Sequence, residues 1–211
     1  MKKKAIIFDM DGVLFNSVEL STKEIMGQYP GMTAEMHKEL LCGNFHEEIK
    51  KVTLPRIIRT EQEKAEEKIA YSKLKAKAPM YEGAKKLLEE LHGGKNYVIV
   101  LNTSAYDRNC VPLLENSGVF CLFDLLATAD MSKSKTEKFR IIEEKYGLSG
   151  KDMLFITDTL GDIREADIAN VPTVAVTWGA HTRKYFDREK HKNVIGIADS
   201  FEELRNFIYG S

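Results

Sequence analysis

The feature that most constrains the fold is a short apolar run near the start of the chain that ends in two acids. Residues 5–8 are Ala-Ile-Ile-Phe, and Asp9, Met10, Asp11 and Gly12 follow directly. An uninterrupted apolar run with β-branched residues is typical of a strand that is buried on both faces, as in a parallel sheet. Gly12 allows the chain to turn sharply after it. The chain is therefore expected to build a parallel sheet around this strand.

The two acids stand where parallel α/β proteins bind their ligands, at the carboxyl end of a strand. Residues two apart on a strand point the same way, so Asp9 and Asp11 would crowd one site. Two crowded carboxylates are costly unless they share a cation or one of them keeps a proton. The alternative interpretation is a solvated strand end followed by an Asp-Gly turn, and the rest of the chain has to decide between the two.

Beyond the first strand, the chain divides into a helical stretch and an alternating stretch. Residues 17–79 carry helix-start signals, such as the capping-box spacing from Thr60 to Glu63, and no convincing strand. From Tyr81 onward, helices alternate with strands predicted at residues 97–101, 123–127, 153–157 and 173–176. This alternation predicts βαβ crossovers and a parallel sheet with helices on both faces.

The predicted fold class is therefore α/β, with a Rossmann-like parallel sheet and an inserted all-helical segment. The predicted core domain consists of residues 1–16 and 80–211, and the predicted helical domain of residues 17–79. A length of 211 residues, 43% of them hydrophobic and 30% charged, suits one domain or a domain with an inserted lobe.

Charge and cysteine content exclude several functional classes. The 31 basic and 32 acidic residues nearly balance, so neither a general nucleic-acid binder nor a membrane-surface binder is expected. No stretch approaches the roughly 20 apolar residues of a membrane span. Three cysteines without a CxxC spacing indicate reduced thiols, and hence a cytoplasmic protein without a zinc site.

A second predicted strand also ends in an acid. Asp158 follows the strand predicted at residues 153–157, and Asp162 would lie on the first turn of the next helix. Together with Asp9 they would form an anionic, oxygen-only pocket, which suits Mg²⁺ and not zinc. The alternative is that Asp158 is a turn residue and Asp162 a helix N-cap. Two acidic strand ends in one α/β chain favour the pocket.

These motifs resemble those of the haloacid dehalogenase-like (HAD) hydrolase superfamily. Residues 9–17 are similar to its first motif and residues 158–166 to its fourth, within a resemblance that extends from about Lys4 to Glu203. The similarity is to members with a helical cap inserted after the first motif, such as phosphoglycolate phosphatases and β-phosphoglucomutases. It implies that Asp9 is a nucleophile that becomes an aspartyl-phosphate and that Asp11 is the general acid/base. It also implies a Mg²⁺ site among the acids Asp9, Asp11, Asp158 and Asp162.

The resemblance leaves the phosphate-binding residues open. Its second motif is a Ser or Thr after the second strand, which favours Thr103, with Asn102 one residue earlier and Ser104 one residue later as further candidates. Its third motif is a lysine, for which Lys133 and Lys135 both fit. By themselves, residues 102–104 are ordinary turn formers, and the two lysines are ordinary surface residues.

The helical segment resembles the cap of these relatives. Its loop contains Gly43, Asn44 and His46, which the resemblance makes candidates for substrate specificity. The alternative is an ordinary helix–turn–helix, in which Gly43 ends one helix and Asn44 caps the next.

The expected function is that of a Mg²⁺-dependent phosphatase acting on a small phosphorylated metabolite, as a monomer or homodimer. One alternative is a phosphotransferase similar to β-phosphoglucomutase, which returns the phosphate to its substrate. Another is a non-catalytic protein that accepts phosphate as a regulatory switch, as receiver domains do. Asp11 and the helical segment argue against that switch, because a receiver needs neither of them.

Overall fold

The computed structural model describes residues 4–94 and 96–210. Within these residues, the sheet has six parallel strands in the order β3-β2-β1-β4-β5-β6. Their bounds are Lys4–Phe8 (β1), Tyr97–Asn102 (β2), Leu125–Ala127 (β3), Met153–Thr157 (β4), Thr173–Val176 (β5) and Val194–Ala198 (β6). The strand that opens the chain thus lies in the middle of the sheet, between β2 and β4.

The helices occupy most of the remaining described chain. Those of the segment between β1 and β2 are Val18–Gln28 (α1), Ala34–Leu40 (α2), Phe45–Glu48 (α3), Glu61–Lys75 (α4) and Ala84–Gly94 (α5). The later ones are Asp107–Asn116 (α6), Lys135–Tyr146 (α7), Leu160–Ala169 (α8), Arg183–Phe186 (α9) and Phe201–Tyr209 (α10).

Alternate residues of β1 enter two separate cores, one on each face of the sheet. Ile6 and Phe8 belong to the core that contains leucines of α5, α6 and α10. Ala5 and Ile7 belong to the core formed with Phe139 of α7 and with α8. Helices therefore cover both faces of a parallel sheet, which confirms the predicted fold class and explains why this strand has no polar face.

The structure corrects several predicted element bounds. The third strand begins at Leu125 and not at residue 123, because Phe123 caps a 3₁₀ turn at Phe120–Leu122 and the strand starts only after it. α7 begins at Lys135 and α8 at Leu160, slightly before the starts near Thr136 and Asp162 that the sequence predicts. The edge strand Val194–Ala198 was not predicted at all, since its half-exposed residues and its glycine lack the buried apolar run of a central strand.

All described residues between 17 and 79 are helical or irregular, and none belongs to a named strand. This segment has a small apolar core of its own around Ile25, Tyr29 and Met32. Pro55 lies in an irregular stretch before α4, so it neither kinks a helix nor starts one. In the described part of the chain, every helix is too short or too polar to cross a lipid bilayer.

Candidate active site

Asp9 lies at the carboxyl end of β1, at the centre of the sheet edge. Its backbone N–H donates to the Ile156 carbonyl at 2.9 Å, which continues the pairing with β4. The residue is 7% exposed, and its Oδ1 lies 2.7 Å from the Nζ of Lys135. The same Nζ donates to Asp162 Oδ2 at 2.6 Å. Lys135 thus joins the acid that ends β1 to an acid on the first turn of α8.

Burial affects the ionisation of both Asp9 and Lys135. The pKa of Asp9 is raised to about 6, chiefly by burial, with the Lys135 ammonium opposing this effect and the nearby Asp162 carboxylate adding to it. Burial also disfavours the ammonium of Lys135, but Asp162 and Asp9 hold the pKa of that group above its ordinary value. The ionised Asp9 therefore depends on positive charge placed close to it.

Asp158 follows β4 and is 1% exposed. Its Oδ2 accepts the Ala180 N–H at 2.7 Å, whereas its buried Oδ1 has no hydrogen-bond partner among the described residues. Burial, and then the charge of Asp9, raise the pKa of Asp158 well above its usual range. A buried carboxylate oxygen without a donor, beside a second carboxylate, is the environment that a bound cation stabilises.

Two glycines make room for Asp158. Gly12 has a φ of +76°, and a Cβ there would lie 1.9 Å from Asp158 Oδ2. A Cβ at Gly179 would lie 2.2 Å from the same oxygen. Gly12 is therefore needed for two reasons: its backbone adopts a conformation that favours glycine, and Asp158 approaches too closely for any side chain.

Asp11 points to a different partner. Lys75, the last residue of α4, donates through Nζ to Asp11 Oδ2 at 2.7 Å, and the Ser17 hydroxyl donates to Oδ1. Lys75 is only 3% exposed. Burial opposes the charge of its ammonium, but Asp11 and Tyr71 hold the pKa of Lys75 above its ordinary value. The helical segment thus supplies a cation to the core.

Sequence reasoning missed Lys75. It lies in a run of Glu, Lys and Ala with the composition of a solvated helix, and nothing in that run distinguishes it from its neighbours. Glu165 on α8 was missed as well. Its Oε1 accepts the Lys135 N–H at 2.8 Å and the Ser134 hydroxyl at 3.0 Å, so it fixes the start of α7.

The remaining predicted phosphate-binding residues take distinct positions. Thr103 and Ser104 line the cavity described below, while the fully buried side chain of Asn102 does not. Neither polar atom of the Asn102 amide has a hydrogen-bond partner among the described residues. Lys133 is exposed, and Lys135 is the lysine that contacts Asp9.

The three predicted loop residues of the helical segment all lie against the core. His46 donates from Nε2 to the Ser104 carbonyl at 3.2 Å. Asn44 donates from Nδ2 to the Lys133 carbonyl at 2.9 Å and to Glu165 Oε2 at 3.1 Å. A Cβ on Gly161 would lie 2.2 Å from the Gly43 carbonyl oxygen. The loop therefore closes over the carboxyl end of the sheet.

A cavity of about 340 Å³ lies between this segment and the sheet. On the core side it is lined by residues that include Asp9, Asp11, Thr103, Ser104, Lys135 and Asp158. On the helical side it is lined by residues that include Tyr29, Phe45, His46, Arg56, Tyr71 and Lys75. The acids at the strand ends thus face a cavity with room for a small organic molecule.

Mg²⁺ fits this donor set. Asp9 and Asp158 offer carboxylate oxygens at adjacent strand ends. One oxygen each of Asp9, Asp11 and Asp162 already contacts a lysine, whereas Asp158 contacts none in the described part of the chain. Within the described residues, no group of three or more His, Cys, Asp or Glu side chains is arranged to hold a metal. Mg²⁺ needs no such cage, because it keeps several waters and binds through one or two carboxylates and substrate phosphate.

Comparisons with known proteins agree with this architecture. The chain is 30% identical over 114 residues to the probable phosphatase IndB of Dickeya dadantii, a match that covers 53% of the chain and 48% of IndB. It is 22% identical over 196 residues to the phosphoglycolate phosphatase of Thiobacillus denitrificans, covering 83% of the chain and 84% of that protein. The chain therefore matches about half the length of IndB.

Among solved structures, the chain resembles a CbbY mutant from Rhodobacter sphaeroides in complex with xylulose-(1,5)bisphosphate. The TM-score is 0.76 at 20% identity, over 96% of each chain. At this identity the likeness shows a common fold. The family model for haloacid dehalogenase-like hydrolases matches residues 6–176, which contain both acidic strand ends and the helical segment between β1 and β2. The chain thus belongs to the haloacid dehalogenase-like hydrolase family.

Proposed function

We propose that this protein is a Mg²⁺-dependent phosphatase that hydrolyses a small phosphomonoester through an aspartyl-phosphate. One observation carries the proposal: Asp9 follows the central strand on the wall of the cavity, with the Lys135 Nζ 2.7 Å from its Oδ1 and Asp158 beside it. The arrangement combines a nucleophile, a cation for the phosphate and a site for a metal. The matched relatives described as phosphatases support the same chemistry.

In the first step, the Asp9 carboxylate attacks phosphorus and the ester oxygen leaves. The Lys135 ammonium neutralises charge on the phosphoryl oxygens, and the Thr103 hydroxyl donates to one of them. Thr103 Oγ1 accepts the Ala105 N–H at 3.1 Å, which leaves its own proton free for that donation. Positioned charges and donors of this kind account for most of the catalysis in phosphoryl transfer.

Asp11 is proposed as the general acid and base. It protonates the leaving oxygen and then takes a proton from the water that cleaves the acyl-phosphate. Its two carboxylate oxygens are held by Lys75 and Ser17, which keeps the side chain in one orientation at the cavity wall. Because Lys75 belongs to the helical segment, closure of that segment and the orientation of the acid are coupled.

Asp9 and Asp158 would hold the Mg²⁺ ion, which, when bound, neutralises phosphate charge and offsets the repulsion between the two acids. Asp11 and Asp162 are proposed to lie around the metal, and like Asp9 they would bind it only through the oxygen that no lysine of the described chain contacts. In this proposal, Asp162 orients Lys135, and Thr157 supports it by donating to Asp162 Oδ2 at 2.6 Å.

Residues 17–79 are proposed to act as a cap on the core of residues 1–16 and 80–211. A closed cap excludes water from the aspartyl-phosphate and selects the leaving group. Gly43, Asn44 and His46 are then specificity residues by position, since their loop joins the cap to the phosphate-binding side of the cavity. The substrate is proposed to be a small phosphorylated metabolite in the cytoplasm.

The test is phosphate release from a panel of sugar phosphates, phosphoglycolate, nucleoside monophosphates and an aryl phosphate, with Mg²⁺ and with chelator. We expect turnover that requires Mg²⁺ and is lost in Asp9→Asn. The exposed Asp187 provides a matched control, and Asp187→Asn should keep full activity. Wild-type turnover that persists in Asp9→Asn would refute the proposed nucleophile. Phosphate moved to a second sugar position without release would instead identify a phosphotransferase.

A further inference from the structure

Helix α7 carries a second buried lysine, Lys138, one turn after Lys135. Lys138 is 0% exposed, and no carboxylate among the described residues lies within ion-pair distance of it. Burial, and then the Lys135 charge, lower the pKa of Lys138 to about 7. Burying an amine without a carboxylate partner is costly, so this lysine is unlike an ordinary structural ion pair.

Among the described residues, the Lys138 side chain makes one hydrogen bond, and its partner is Thr103 at the end of β2. Lys138 Nζ donates to the Thr103 carbonyl at 2.7 Å. Both the ammonium and the neutral amine carry N–H donors, so this bond survives loss of the proton. The other polar groups of Thr103 are also engaged, because its N–H donates to the Ala127 carbonyl at 3.0 Å and its Oγ1 accepts from Ala105.

The hydrogen bond from Lys138 to the Thr103 carbonyl also determines the direction of the Ser104 N–H. In a trans peptide unit, the carbonyl of one residue and the N–H of the next point in opposite directions. If Lys138 holds the Thr103 carbonyl on the α7 side, the Ser104 N–H must face away from α7. No hydrogen bond within the described residues uses that N–H as a donor, and Ser104 lines the cavity.

We propose that Lys138 is a positioning residue: its Nζ holds the Thr103 carbonyl and thereby aims the Ser104 N–H at the phosphate site. The inference rests on the proposed function, because it takes the cavity beside Thr103 and Ser104 as that site. Lys138 touches neither phosphate nor Asp9 in this scheme. It acts through the orientation of one peptide unit, which supplies a donor to an oxygen of the bound phosphate.

The test combines activity with a direct measure of anion binding. Lys138→Met keeps most of the length of the apolar stem and removes the donor, and Lys138→Gln keeps an N–H donor in case the first variant fails to fold. Lys145→Met, on an exposed position of the same helix, is the matched control. For each protein we would measure kcat and KM for the best phosphomonoester, the dissociation constant of inorganic phosphate with Mg²⁺ by calorimetry, and the thermal midpoint.

We expect Lys138→Met to weaken inorganic phosphate binding and to lower kcat/KM by roughly 10- to 100-fold, less than the loss of a direct oxyanion donor. Its thermal midpoint should stay close to that of the wild type, because relief from burying the amine offsets the unpaired carbonyl. The phosphate affinity and kcat/KM of Lys138→Gln should lie between those of the wild type and of Lys138→Met. Those of Lys145→Met should match the wild type.

Unchanged phosphate affinity and kcat/KM in folded Lys138→Met would overturn the inference while leaving the proposed function intact. Loss of folding in both variants would also overturn it, since Lys138 would then act on the fold and not on the loop. A wild type that binds inorganic phosphate without any turnover would refute the proposed function alone, and the binding measurements would still decide the role of Lys138. A wild type that binds no phosphate would refute both.

Discussion

Each of the two acids that follow β1 is held by a lysine from a different part of the chain. Lys135 on α7 holds Asp9, and Lys75 on α4 holds Asp11. The two acids therefore have separate surroundings although they are only two residues apart. A difference of this kind allows one carboxylate to act as a nucleophile and its neighbour as an acid and base.

The variant Lys75→Met tests the ion pair between Lys75 and Asp11. Without the ammonium, Asp11 loses a hydrogen-bond donor and its only ion-pair partner among the described residues, so kcat should fall roughly 10- to 100-fold. The free energy of unfolding should fall by about 1–3 kcal/mol, less than for a fully buried pair because the Asp11 side chain is 25% exposed. Steady-state kinetics and urea unfolding measure the two effects.

Lys73→Met, on an exposed position of the same helix, is the control for Lys75→Met. Its kcat and its free energy of unfolding should both match those of the wild type. A Lys75→Met protein with undiminished kcat would show that Asp11 needs no cation from the helical segment.

Sequence predicted these residues to different degrees. Asp9 and Asp158 follow apolar runs, and a buried strand end is a strong local signal for a site. Lys135 was separable from Lys133 only by where α7 begins, and helix starts are poorly defined in sequence. Lys75 was unpredictable, because its burial results from the docking of a helix whose own sequence looks solvated.

At the level of elements, the contact between α8 and the loop after α2 sets the closed arrangement. The Gly161 N–H donates to the Leu41 carbonyl at 2.9 Å, and Arg164 donates to the Cys42 carbonyl at 2.5 Å. The His181 side chain connects the same two regions, since its Nδ1 accepts the Leu160 N–H and its Nε2 lies 2.9 Å from the Lys38 carbonyl. The carbonyls at the end of α2 are therefore satisfied by donors from the core.

The variant Gly161→Ala should hold this contact open. An added Cβ would lie 2.2 Å from the Gly43 carbonyl oxygen and 2.8 Å from that of Leu41, distances that backbone atoms cannot accommodate without moving. We expect kcat/KM to fall by about 10²-fold, as positioning effects of roughly 1 Å do. Small-angle scattering should show a larger radius of gyration.

Gly27→Ala is the control for Gly161→Ala, since Gly27 lies within α1 and a Cβ there meets nothing within 4 Å. This change should leave activity unaltered and stabilise the protein by about 0.5–1 kcal/mol through helix propensity. Wild-type kinetics in Gly161→Ala would argue that the contact plays no part in catalysis.

Elements with strong apolar patterns were predictable, and edge elements were not. β2 and β4 are buried runs. α6 coincides with the helix that the sequence predicts at residues 107–116, and α10 begins directly after Ser200, its predicted cap. Among the described residues β6 pairs only with β5, so most of its residues are only partly buried and its apolar pattern is weak. The helix-start signals predicted α4, but not how the helices of this segment dock on the sheet.

For the whole molecule, pH should change stability through His37. This histidine of α2 is 2% exposed, and its Nδ1 lies 2.9 Å from the Thr22 hydroxyl oxygen. Burial lowers the pKa of His37 from 6.5 to about 4. Below pH 6.5 the unfolded chain therefore binds a proton that the folded protein does not, and stability falls as the pH falls.

The measurement is urea unfolding of the wild type and of His37→Gln at pH 7 and pH 5. The wild type should lose about 2 kcal/mol more than the variant over this interval, from linkage alone. The contributions of the other histidines to the change in unfolding free energy are common to both proteins and cancel in the comparison. Equal losses in the two proteins would show that His37 does not titrate with a lowered pKa.

Metal binding should also stabilise the whole molecule. Mg²⁺ bound by the folded protein alone adds about 2.7 kcal/mol at a concentration of 100 Kd. We expect Mg²⁺ to raise the thermal midpoint of the wild type and of Asp187→Asn, and chelator to reverse the shift. Asp158→Asn should show no Mg²⁺ response, and a full response would place the metal elsewhere.

The central place of β1 has a consequence for synthesis on the ribosome. In the sheet, Lys4 pairs with Tyr97 and Ala5 with Met153, partners that lie 93 and 148 residues later in the chain. At about 5–20 residues per second, β1 waits roughly 7–30 s for its second neighbour. During that interval its apolar side chains have no sheet to enter, while the helical segment that follows can already form from local contacts. The strand that Asp9 follows is thus translated before both of its sheet neighbours, so the nascent chain should need protection from aggregation until β4 has emerged.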